Sequence, residues 1–190
     1  DDYDIETAAK ALGTPYFSYL SGQVCASLTR IIVPRAKHDA MVEALVGAAR
    51  EAVPGDPFAA DTSMGPLASQ RQRDAVERLV AQSIADGAQL ATGGGRPRHL
   101  RRGFFFEPTG LAPVDNRSFA ARHEFFGPVL SVIAADNEAH AIEMANDSLF
   151  GLNAAVFTQD PERAMQVARQ LRAGTVGHNA SRYDFSIGFG

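Results

Sequence analysis

Along the chain, stretches in which apolar residues recur every three or four positions alternate with short runs that are β-branched or uniformly apolar. Behind Asp4, the residues Ile5, Ala8, Ala9 and Leu12 recur at helical spacing, and acidic residues there suit the positive end of a helix dipole. The spacing predicts a helix from Asp4 to about Tyr19, broken or kinked by Gly13 and Pro15 before Ser21-Gly22. "TRIIVP" (29–34) is β-branched, closed by Pro34, and reads as a strand. Lys37 to Val53 reads as a helix with Met41, Ala44, Leu45 and Ala48 on one face and Pro54-Gly55 as its stop. "GDPFAADTSMGPLAS" reads as an ordered loop, and Ser69 to Ala85 as a helix with Val76, Leu79, Val80 and Ile84 in register.

The second half continues the alternation. "AQLATGG" predicts a short strand running into the turn Gly93-Gly94-Gly95, and "GFFFEPT" (103–109) and "GPVLSVIAA" (127–135) predict two more strands. The last of these is apolar enough to be covered on both faces. A short helix over Glu138 to Ala145, a strand at "NAAVFT", a helix from Pro161 to Leu171 opened by Asp160, and a final strand at "GTVGHN" complete the pattern. Such alternation predicts an α/β layered domain, with a mainly parallel sheet flanked by helices.

Composition narrows the function. The 190 residues are 45% hydrophobic and 21% charged with a net charge of −4, which fits a globular domain and offers no basic footprint for nucleic acid. The densest basic run (Arg96, Arg98, Arg101, Arg102) sits in a Gly/Pro-rich turn region and reads as a solvated loop. No apolar run has the length of a membrane span, and the first residues lack a basic-then-apolar secretory pattern. A single cysteine excludes an internal disulfide framework and fits a reducing compartment, so the cytoplasm is the expected location. The start at "DDYDIETAAK" and the stop at "FSIGFG" are read as those of a domain cut from a longer chain.

Familiar cofactor and metal signatures are missing. The G-x-G-x-x-G fingerprint fails at Arg98 after Gly93 and Gly95, there is no G-x-x-x-x-G-K-[ST] loop, and no G-x-S-x-G elbow. His38, His99, His123, His140 and His178 form no ligand pair, so no metal site is expected.

Cys25, the lone cysteine, carries the chemistry that remains. A lone cysteine is commonly a small buried hydrophobe. Against that, Gly22 permits a tight turn just before the thiol, and the small residues that follow in "ASLTR" leave backbone N–H groups open to a developing oxyanion. A turn or helix N-terminus would also favour the nucleophilic thiolate. The residues leave filler and nucleophile both standing. In "HEFFGPVLSV" (123–132), Glu124 is either an acid at a strand edge or an acceptor for vicinal hydroxyls, with a phenyl face flanking a flat heterocycle, as a ribose beside nicotinamide would require. His123 reads as a surface residue.

Together these stretches resemble the aldehyde dehydrogenase family. "SGQVCASLTR", with Gly22, Gln23, Cys25, Thr29 and Arg30, is similar to its catalytic-cysteine segment, and "HEFFGPVLSV", with Glu124, Phe126, Gly127 and Pro128, to its E-x-F-G-P-V segment. "GDPFAADTSMGPL", "TGGGRP", "FFFEPTGL", "FGLNAAVFT" and "GTVGHN" follow in family order over nearly the whole chain. The resemblance implies an aldehyde dehydrogenase catalytic-domain fold over residues 1–190. It implies NAD(P)-dependent oxidation of a small-molecule aldehyde to a carboxylic acid through a thiohemiacetal and an acyl thioester, with Cys25 as nucleophile. Glu124 would hold the nicotinamide ribose of NAD or NADP and Phe126 would pack on the ring. Gln23, His178 and Asn179 would be substrate-pocket or structural residues, Asn179 structural. The full-length protein would be a homodimer or homotetramer. The family's general-base glutamate, the asparagine completing its oxyanion hole and its cofactor-binding domain have no counterpart in the sequence, so the isolated 190 residues are expected not to turn over. His178, where relatives carry an aliphatic residue, and Phe17 to Leu20 depart from the usual pattern and bear on substrate preference. An acyl transferase or thioesterase, an acylating dehydrogenase releasing to coenzyme A, and an inert assembly domain are the alternatives.

Overall fold

The computed structural model describes residues 2–180; the terminal "FSIGFG" falls outside them. Helix α1 (Ile5–Ser18) is capped by Asp4, whose carboxylate accepts from the Thr7 N–H at 2.8 Å. It continues unbroken past Gly13 and Pro15, where the sequence predicted a break or a kink. Pro15 removes one helical hydrogen bond, but Ala8, Ala9, Leu12 and Phe17 are buried, which offsets that loss. Gly13 is needed for close approach: a Cβ there would lie 2.7 Å from the Ala48 Cβ of helix α2 (His38–Glu51). The true break follows the helix, where Leu20, Ser21 and Gly22 all take left-handed backbone (φ 50°, 54° and 74°).

Strand β1 (Arg30–Pro34) precedes α2 through a 3-10 turn at Arg35–Lys37. After the loop comes α3 (Gln70–Ala85), capped by Ser69. Its buried residues are Val76, Val80 and Ser83, while Ile84 is exposed: the final turn leaves the core, and Ser83 satisfies its hydroxyl on Leu79 O at 2.7 Å. There follow β2 (Leu90–Thr92), β3 (Thr109–Leu111), α4 (Phe119–Arg122), β4 (Val129–Ala135), α5 (Glu138–Asn146), β5 (Asn153–Val156), α6 (Pro161–Ala168) and β6 (Thr175–His178).

Four strands form one sheet in the order β1-β4-β3-β2; β4 is parallel to both β1 and β3, and β2 closes the edge antiparallel to β3. The last two strands form a separate parallel pair rather than extending the sheet. The expected strand at 103–109 is also different. Pro108 has no N–H to give a ladder, so pairing starts only at Thr109. The preceding residues run alongside, bonded from Leu67 N to Phe104 O and from Glu107 N to Gly95 O, with Phe106 fully buried.

β4 is covered on both faces, as its largely apolar run predicts. Leu130 and Val132 join Phe17, Met41 and Leu45 under α1 and α2. Val129 and Ile133 join Val76, Val80, Phe106 and Leu111 under α3. Each such side chain contributes about 1.5–3 kcal/mol relative to exposure, which makes β4 the rigid axis of the molecule. The start of the chain is tied to the end of β5: Asp2 accepts from Thr158 Oγ1 at 2.6 Å and Gln159 N at 3.0 Å. The Thr158 hydroxyl foremost holds this carboxyl down to about 2. Among the described residues, no helix is long and apolar enough to cross a membrane.

Candidate active site

Two loops enter the sheet side by side. Because β1 and β4 are parallel and in register with Arg30 opposite Ser131, the segments before them arrive at the same edge. The Ser131 N–H bonding to Thr29 O at 2.9 Å extends the pairing into the first loop. Cys25 lies five residues ahead of β1 and Glu124 five ahead of β4. This is the amino edge of the strands, opposite to the carboxyl edge used by doubly wound dinucleotide folds.

In the first loop, a turn closed by Ser27 N to Val24 O at 3.1 Å carries Cys25, whose side chain is exposed. Burial as a filler is thereby excluded. The Cys25 N–H bonds to no acceptor among the described residues and is free for a ligand. Gln23 braces the turn: its Nε2 donates to Leu20 O at 2.9 Å and its Oε1 accepts from Ala68 N at 2.9 Å. Ser21 is buried with its hydroxyl on Gly65 O at 2.8 Å.

In the second loop, Phe125 turns into the core while Glu124 and Phe126 stay exposed. Phe126 achieves this with a left-handed φ of 50°. The Glu124 carboxylate has no ion pair or hydrogen bond among the described residues, unlike Asp74 and Asp147, which pair with Arg73 and Arg122. Gly22 joins the loops. A Cβ at Gly22 would stand 2.6 Å from the Gly127 carbonyl carbon and 2.9 Å from Pro128 N, so only glycine permits this backbone contact. Gly22, Val24, Cys25, Glu124 and Phe126 all line one cleft of about 730 Å³.

His178 and Asn179 are not brought to that cleft wall. Asn179, with φ 53°, accepts from Thr158 N at 2.9 Å and donates to Thr158 O at 2.7 Å. The His178 ring contacts the same carbonyl at 2.9 Å.

The family model for the aldehyde dehydrogenase family matches residues 1–190. The chain belongs to the aldehyde dehydrogenase family. It is 41% identical over 191 residues to a 3-succinoylsemialdehyde-pyridine dehydrogenase of Pseudomonas sp., covering 100% of this chain and 40% of that protein. It is 44% identical over 182 residues to a betaine aldehyde dehydrogenase of Brucella ovis, covering 95% and 37%. A Mycobacterium tuberculosis aldehyde dehydrogenase solved in complex with NAD+ superposes with a TM-score of 0.92 at 40% identity, covering 100% of this chain and 39% of that one. The chain thus spans about two-fifths of the length of these aldehyde dehydrogenases.

Two residues that hold these loops escape sequence reasoning. Tyr16, in the last turn of α1, donates its hydroxyl to Gly127 O at 2.8 Å and Val129 O at 3.1 Å. Gln72 Nε2 donates to Phe125 O at 3.2 Å and Phe126 O at 2.8 Å. The spacing of Ser69 and Gln72 is that of a capping box, which would have sent the glutamine back to its own helix. Nothing local marks Tyr16, because its partners lie 111 and 113 residues away.

Proposed function

We propose that this chain is the cysteine-bearing catalytic region of a longer cytoplasmic, homodimeric or homotetrameric enzyme that oxidises a small aldehyde to its carboxylic acid with NAD or NADP. The observation that carries this reading is the shared cleft, where an exposed thiol, an open backbone N–H, an unpaired carboxylate and an exposed phenyl ring converge from loops locked at Gly22.

The site fits the nicotinamide end of the cofactor: Glu124 has free acceptor oxygens for two ribose hydroxyls, and the Phe126 ring offers a flat apolar face beside them. When bound, the nicotinamide accepts the hydride released in the oxidation. The chain's own residues do the rest. The Cys25 thiolate adds to the carbonyl carbon, forming a C–S bond and a thiohemiacetal whose oxyanion the Cys25 N–H receives. After oxidation the acyl group is a thioester on Cys25, and water cleaves its C–S bond to release the acid and return the thiol. The base that activates this water belongs to another part of the polypeptide. Gln23 braces the nucleophile's turn, while His178 and Asn179 secure the junction of β5 and β6 at Thr158.

The test is product stoichiometry in the full-length protein. One NAD(P)H and one carboxylic acid per aldehyde, without coenzyme A, is the expected result. A coenzyme A requirement would make it an acylating dehydrogenase, and thioester cleavage without NAD(P)H an acyl transferase or thioesterase. Glu124→Gln is expected to slow hydride transfer about ten-fold with little change in aldehyde KM, since it loosens the ring's position rather than aldehyde capture. An unchanged single-turnover rate would remove Glu124 from this role.

A further inference from the structure

Resting on the function proposed above, we propose that Tyr16 is a positioning residue, whose single hydroxyl sets the distance between the nucleophile's loop and the cofactor-side loop. Its place in the chain makes this possible. Tyr16 sits in the last turn of α1, which leads directly into the left-handed bend Leu20–Gly22 and so to Cys25. Its hydroxyl leaves that segment and reaches the carbonyls of Gly127 and Val129, which bracket the start of β4.

The Gly127 carbonyl is the meeting point. It accepts from Tyr16 at 2.8 Å and from Val129 N at 2.7 Å, and the Gly22 backbone passes so near it on the cysteine side that an added Cβ would stand 2.6 Å from its carbon. On the far side, Gln72 anchors the carbonyls of Phe125 and Phe126, which supports the left-handed backbone that turns the Phe126 ring outward. The Glu124–Gly127 stretch is therefore held from α3 by an amide and from α1 by a phenol. Gln72 fixes the shape of the loop on its own side. Tyr16 ties it by hydrogen bond to the segment that presents Cys25, and the close backbone approach at Gly22 resists compression without preventing separation. A hydrogen bond supplies the missing restraint against moving apart. The ring itself is supported by edge-on contact with Phe17, at 5.7 Å between centroids, so the hydroxyl can be removed without disturbing the packing.

Two measurements on Tyr16→Phe test this. The first needs no cofactor: amide exchange across 125–129 is expected to accelerate several-fold, while β1 (30–34) and α3 exchange as before. The second is kinetic, in the full-length protein. Hydride transfer is expected to fall about ten-fold, the effect of losing one hydrogen bond's worth of positioning, with a larger isotope effect for the deuterated aldehyde and an unchanged rate of Cys25 alkylation. Replacing Tyr16 with 4-aminophenylalanine restores a donor and should recover most of the rate. Unchanged exchange at 125–129, or acceleration spread evenly over the molecule, would overturn the proposal. So would a kinetic loss that the amino variant does not rescue. If wild-type protein forms no NAD(P)H from any aldehyde, the functional reading itself fails, and the exchange result still decides whether Tyr16 couples the loops.

Discussion

Cys25→Ser in the full-length protein is expected to lower aldehyde oxidation by on the order of 10⁴-fold, with the melting temperature unchanged and the cofactor bound as before. The reason lies in the nucleophile. A serine alcohol at neutral pH is scarcely ionised and is a far poorer nucleophile than a thiol, which supplies thiolate directly. Losses of this size accompany removal of nucleophiles in hydrolases that work through covalent intermediates. Stability is expected to hold because the side chain is exposed and the turn is closed by Ser27 N and Val24 O, neither of which the substitution touches. Steady-state oxidation, cofactor titration and a melting curve check the three parts. Turnover within ten-fold of wild type would remove Cys25 as the nucleophile.

Gly22→Ala is expected to cost about 100-fold in activity although it adds a single methyl group. Two penalties coincide. The residue holds φ at 74°, where an L side chain costs about 1–2 kcal/mol. Its new Cβ would also stand 2.6 Å from the carbonyl carbon of Gly127. A flexible side chain could swing aside, but this neighbour is backbone pinned by Tyr16 and by the start of β4. The loops must separate, and a displacement of about 1 Å at reacting groups is worth roughly 10²-fold in rate. Gly47→Ala is the control. No atom lies within 4 Å of the added Cβ, and the site is inside helix α2, so alanine there should leave activity intact and stabilise slightly. Equal behaviour of the two variants would mean that the contact at Gly22 does not hold the loops together.

The elements most legible in the sequence were those whose burial and periodicity agree. The largely apolar run at 127–135 supplied the inner strand β4 over Val129–Ala135, and Asp4, Ser69 and Asp160 cap the helices they introduce. Failures came where a residue's local preference met a tertiary contact. Pro15 stays helical because α1 buries its apolar stripe on α2, and the stretch 104–107 looks like a strand yet bonds to loops through Phe104 and Glu107. That β5 and β6 pair with each other, apart from the four-stranded sheet, is not legible in the sequence because pairing partners leave no mark on strand residues.

The sequence by itself determined the alternation of helices and strands, the segment types around Cys25 and Glu124, and the family they resemble. Each of these follows from local spacing or short motifs, which need only neighbouring residues to be read. The tertiary structure alone decided that the two segments meet. They are 99 positions apart, and what unites them is the parallel register of β1 on β4, with Arg30 opposite Ser131, which delivers both loops to one edge. It also decided that Gln23, His178 and Asn179 turn their polar groups to backbone partners, and that Tyr16 and Gln72 hold the loop of Glu124 and Phe126. Hydrogen bonds across 20 to 111 residues depend on where the folded chain returns, and that is set by burial of the whole core rather than by any local pattern.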